Sequence, residues 1–145
     1  MANVVTIDYL YGAPGDGTRQ HVVSLSGVLD TAHEAGVVKI NVSDFTNDNH
    51  TNDPATQVAI DKIEWSIFGG AIDFVQLHFD AATDDLIITM TGTGEIDYTS
   101  IGGSQDPRST TPVGDIKLTT GSDTAIAAGT LEAHYSVTIW FRTKH

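Results

Sequence analysis

Cysteine is absent from the 145 residues. That lack excludes disulfides, thiolate nucleophiles and Cys-based zinc sites together, while leaving the redox compartment undecided. Positive charge is scarce: seven Lys and Arg stand against 19 Asp and Glu, a formal charge of −12. Over most of the surface such a balance repels a phosphate backbone and anionic lipid, so neither nucleic acid nor membrane is an expected partner. The plainest meaning of the acidity is solubility. Long apolar runs are missing as well. Met1 to Tyr11 has no basic start and carries Asn, Thr and Asp among its apolar residues. The chain is therefore expected to be soluble and made in the cytoplasm, without a signal peptide.

What is present is alternation. From Leu131 to Lys144, Leu131, Ala133, Tyr135, Val137, Ile139 and Phe141 alternate with Glu132, His134, Ser136, Thr138, Trp140 and Arg142. Successive side chains leave a strand on opposite sides, so this run predicts a strand with one face in a core and one in water. The same period predicts strands over Val4–Leu10, His21–Ser26, Val37–Val42, Ile60–Ile67, Ile72–Phe79, Asp85–Thr91, Glu95–Tyr98 and Asp115–Thr119. Eight or nine short strands separated by turn chemistry predict an all-β fold, an antiparallel β-sandwich with jelly roll the favoured topology. One domain over residues 1–145 suffices, since a chain of this length buries about two-thirds of its unfolded surface around one core.

The inward sets follow: Val5, Ile7 and Tyr9; Ile63, Trp65 and Ile67; Val75, Leu77 and Phe79; Leu86, Ile88 and Met90; Tyr135, Val137, Ile139 and Phe141. Gly69 and Gly70 predict a tight hairpin, and Asp80 to Asp84 a second one. Thr31 to Gly36, with a cap at Asp30 or Thr31 and a glycine stop, predicts one brief helical turn. Three polar stretches, Ser43–Thr56, Ser100–Val113 and Thr120–Gly129, are long enough to be functional loops.

Catalytic spacing is wanting. The chain has no Gly-x-Ser-x-Gly elbow, and Gly92-Thr93-Gly94 lacks the lysine and helix of a phosphate loop. Asp80, Asp84 and Asp85, and the run from Asp44 to Asp53, are rich in oxygen ligands but do not keep the spacing of a calcium loop. Asp and Asn are ordinary turn residues. The six histidines have no paired metal-ligand spacing, although His78 and His134 could meet across strands. No metal, no cofactor and no enzymatic activity are expected.

From Lys62 onward the chain carries Ile63-Glu64-Trp65-Ser66-Ile67, Phe74 to Asp85, Gly92-Thr93-Gly94-Glu95-Ile96-Asp97-Tyr98, Asp106-Pro107-Arg108-Ser109 and Gly114 to Thr120. On these pieces, and from Lys62 onward over a little more than half of the chain, it resembles small structural proteins of tailed bacteriophages of marine and cyanobacterial hosts. Those are similar to capsid decoration or cement proteins. The resemblance implies a β-rich virion protein, a homotrimer, on the exterior of the head, where it clamps neighbouring copies of the major capsid protein. None of the pieces is a catalytic signature. The alternative is a carbohydrate- or receptor-binding β-sandwich of a phage fibre or tail, with Trp140, Tyr98 or Tyr11 as sugar platforms.

Trp140 falls on the polar face of its strand, where an aromatic either marks a surface that meets something or lies flat across the side chains of neighbouring strands. Contacts to a partner are thus expected at Trp140 and Arg142 on the sheet, at Phe45, Asn47 and His50 in the first long loop, and at Asp106 and Arg108 in the second.

Overall fold

A computed structural model describes residues 3–15, 18–45, 54–108, 111–129 and 132–144. They form two antiparallel sheets with no α-helix among the described residues. The strands are β1 (Val4–Tyr11), β2 (Gln20–Leu29), β3 (Val37–Ile40), β4 (Gln57–Phe68), β5 (Phe74–Phe79), β6 (Asp85–Met90), β7 (Thr93–Asp97), β8 (Ser104–Gln105), β9 (Ile116–Gly121) and β10 (Ala133–Lys144). One sheet runs β1-β2-β10-β4-β7, with β8 paired to β4; the other runs β3-β9-β5-β6. This is the expected all-β sandwich. The strand order does not by itself give a jelly-roll winding.

Inward residues of both sheets share one core. Val23, Leu25, Ile63, Val137 and Ile139 come from the first, and Val75, Leu77, Ile116 and Leu118 from the second; all are 0% exposed. Each such side chain contributes on the order of 1.5–3 kcal/mol by leaving water. Val58, Ile60, Phe79 and Phe141 extend the core towards one end. There Phe45 meets His21, Tyr9 and Phe141 edge-on, at centroid separations of 4.5, 5.8 and 5.7 Å.

Three local expectations differ from the structure. Gly69 and Gly70 do not close a hairpin, because β4 and β5 belong to different sheets and the chain crosses between them here. Gly69 is still required: its φ is +122°, and a Cβ would lie 1.9 Å from the Glu132 carbonyl oxygen. Thr31–Gly36 is not helical. Its backbone bonds elsewhere, with Asp30 and Thr31 N–H donating to the Asn3 side chain, Glu34 N–H to the Thr120 hydroxyl and Gly36 N–H to that of Thr119. Leu86 is 56% exposed. Opposite β5 the register slips between Leu77↔Ile88 and His78↔Leu86, and this bulge at Ile87 turns Leu86 to the outer face with His78. The hairpin at Asp80–Asp84 does join β5 to β6.

Burial also admits charge. Lys39 of β3 places its ammonium 2.6 Å from Glu34, whose other carboxylate oxygen accepts the Tyr135 hydroxyl of β10. The triad links an element of each sheet through groups almost wholly withdrawn from water.

Candidate interaction face

The outer face of the larger sheet is built in rows, because residues opposite one another in antiparallel strands point the same way. One row is Thr6, Ser26, Ser136, Ser66 and Thr93. The next is Asp8, Ser24, Thr138, Glu64 and Glu95, and the next Tyr11, Val22, Trp140, Lys62 and Asp97. The small hydroxyls of the first rows leave a shallow trough of about 430 Å³ between Ser66, Thr93, Ser136 and Thr138. Beyond them Tyr11, Trp140 and Asp97 border a groove of about 270 Å³.

Trp140 is half-buried and carries the Lys62 ammonium over its ring, 5.1 Å from the centroid. Lys62 also lies 3.1 Å from Glu64 and 3.6 Å from Glu95, two like charges that would otherwise face each other across β4 and β7. The hydrogen bond to Glu64 holds the Lys62 ammonium above its ordinary range. Asp97, which accepts the Thr99 hydroxyl and N–H, is held below the usual carboxylate value.

A bulge organises this corner. Trp140 pairs with Lys62 but Phe141 with Ile60, so Asp61 is the extra residue and its side chain joins that of Lys62 on the outer face. Arg142 grips it through Nε at 3.0 and 3.1 Å and Nη2 at 3.0 Å, and Nη2 also donates to the Gly102 carbonyl at 2.6 Å. Arg142 thereby anchors the turn of 3₁₀ helix Thr99–Ile101.

The loop residues divide. Phe45 is 3% exposed and belongs to the core, not to a contact surface: the polar letters around it conceal an aromatic that plugs the end of the sandwich. Asp106 is likewise buried and accepts the Arg108 N–H at 2.8 Å. Arg108 is partly exposed, yet its guanidinium donates to the Thr56 carbonyl at 2.8 Å. The two long loops therefore meet, with Val42, Thr56, Arg108 and Val113 around one hollow. Asn47 and His50 lie outside the described residues, as do Leu131, His145 and residues 46–53 of the Asp- and Asn-rich run.

Asp80 and Asp84 both face Lys117, at 3.6 and 2.8 Å, so a lysine supplies the cation there. His78 and His134 stand on different sheets, the latter stacked on Phe68 at 4.6 Å. Among the described residues, no three or more His, Asp or Glu side chains converge as a metal site. The surface that composition and spacing did not reveal is β1. Val5, Ile7 and Tyr9 do point inward, opposite Gly27, Leu25 and Val23, but the smaller sheet does not cover this edge: Val5 and Ile7 remain 38% and 45% exposed.

Asp115 offers a test of the electrostatics. Burial pushes its carboxyl above the ordinary value, against the hydrogen bond from Val42 N–H, and the carboxylates of Asp80 and Asp44 push the same way. A raised carboxyl binds more protons folded than unfolded, so its contribution to stability is lost as pH rises through the raised value. Asp115→Asn keeps the acceptor without the charge. We expect it to raise the melting temperature at pH 7 and to make no difference near pH 3, measured by thermal denaturation across that range.

No family model matches the chain, and no curated protein matches it.

Proposed function

We propose that the protein is a non-enzymatic structural protein that decorates the exterior of a tailed-phage head and binds the major capsid protein. The observation that carries the reading is the placement of its adhesive residues. Tyr11, Trp140 and Lys62 share one row on the outer face of the larger sheet, and Tyr11 is exposed. This is an open surface on a rigid scaffold, suited to many moderate contacts rather than to one enclosed reaction. The resemblance from Lys62 onward supports the virion setting, and the acidic composition disfavours nucleic acid and anionic membrane as partners.

The test is sedimentation of the purified protein with emptied heads of its own phage. Saturable binding is expected, and Trp140→Ala should weaken it by about 2 kcal/mol, roughly thirty-fold, while the fold persists. Wild-type protein that stays in the supernatant at every salt concentration would end this reading. An unchanged affinity for heads with a lowered melting temperature would instead confine Trp140 to covering its own sheet.

A second reading, a carbohydrate-binding module of a phage fibre or tail, is favoured by the groove that Tyr11 and Trp140 border, next to a trough lined by hydroxyls and by Glu64 and Glu95. Stacking faces next to small polar groups suit a neutral sugar. Heat released on titration with neutral oligosaccharides, without head binding, would select it.

A further inference from the structure

We propose that β1 is a self-association edge, pairing antiparallel with β1 of a second copy across a two-fold axis that places Ile7 opposite Ile7 of the partner subunit. The inference rests on the geometry of the edge and not on the virion reading.

Among the described strands, four stand at the ends of the two sheet paths. An open edge presents unpaired N–H and C=O groups to any other strand, and proteins ordinarily blunt it by shortness, bulges or charge. β7 has five residues, two of them acidic. β3 has four and a register slip. β6 is bulged near its middle. β1 has eight residues, regular pairing to β2 from Val4 to Tyr9, no lysine and no proline. Its one bulge lies at the far end, at Leu10. It also holds five of the exposed large apolar side chains: Val5 and Ile7 on the inner face, Val4 and Tyr11 on the outer face, and Leu10 at the bulge.

The occupant follows from charge and register. A two-fold perpendicular to the sheet pairs residues of like face. Centred on Ile7, it sets Val5 against the partner's Tyr9 and Thr6 against the partner's Asp8. Val5, Ile7 and Tyr9 of both copies then form one apolar strip. It continues the core, since Tyr9 already packs on Phe45. Centred on Asp8, the axis would oppose two carboxylates, and centred on Thr6 it would set Asp8 against Val4; both are unfavourable. β1 carries a single acid in a chain of net charge −12. A second copy therefore meets little repulsion along this edge. Because the remaining charges repel, added salt strengthens the association, the reverse of an interface held by ion pairs.

Sedimentation equilibrium of the wild-type chain should give twice the mass of one chain, with tighter association at higher salt. Ile7→Lys should give single copies with an unchanged circular-dichroism spectrum. The register is read separately by cysteine, which the chain otherwise lacks. Directly opposed Cβ atoms lie about 4.5–5.5 Å apart, close enough to bridge with small adjustment. Ile7→Cys should therefore form a disulfide-linked pair under mild oxidation, whereas Thr6→Cys and Asp8→Cys, each opposite an unlike residue, should do so far more slowly. A wild-type monomer at the highest concentrations, a trimer, or equal crosslinking of all three cysteine variants overturns the proposal. Should Ile7→Lys fail to fold, the cysteine series decides alone. Head binding is measured independently, so either conclusion can fail without the other.

Discussion

Lys39→Ala is expected to cost about 3–5 kcal/mol of folding stability, the usual loss when one partner of a buried ion pair is removed. The lysine side chain is 2% exposed and that of Glu34 7%. Without the ammonium, Glu34 retains, among the described residues, only the Tyr135 hydroxyl as a side-chain partner in a place water scarcely reaches. The cost therefore comes from the stranded carboxylate more than from the lost attraction. Two neutral residues of similar volume should be tolerated far better, so the double variant Lys39→Met, Glu34→Gln is expected to recover most of the loss. Urea denaturation of both variants is the measurement. A single variant as stable as wild type would mean that Glu34 finds solvent by moving its segment.

Phe141→Ala is expected to lose about 3–5 kcal/mol, through transfer of the ring to water and the cavity left behind. Phe141 is 1% exposed, stacks on His21 at 4.9 Å and receives Phe45 edge-on. Its removal unseats both neighbours at once. Trp140, one residue earlier, faces the other side of the sheet, and its alanine variant should be much milder in the same urea titration. A midpoint shift without a change in slope would show that the denatured state is unaffected. Equal losses at the two positions would contradict the assignment of faces.

That assignment was legible in the sequence because β10 is buried on one side and wet on the other, which imprints a period of two on fourteen letters. Where the period breaks, reading fails for local reasons. The bulge at Ile87 moves Leu86 outward although nothing in Leu86-Ile87-Ile88 announces it. The bulge at Asp61 creates the partner that engages Arg142, a pair 81 positions apart. Phe45 looked like a loop residue because its neighbours are polar, and its burial depends on strands far away in the chain. The inward direction of Val5 and Ile7 was recoverable; their exposure was not, since an edge is a property of the sheet and not of the strand. Chemistry followed the same division. The lack of a catalytic spacing is visible in the letters, while the rows that join Tyr11, Trp140, Lys62 and Asp97 exist only after the register is set.

The position of β10 bears on how the chain is made. It is the last of the described strands in sequence, yet it lies between β2 and β4 in the larger sheet. On the ribosome, everything through residue 129 emerges before the strand that joins those two, so β2 and β4 wait with open hydrogen-bonding edges while synthesis proceeds at about 5–20 residues per second. Closure of such distant pairs is slow in itself. A nascent chain of this design is exposed to strand capture by its neighbours on a polysome, and its yield should depend on chaperone supply and translation speed more steeply than its final stability suggests.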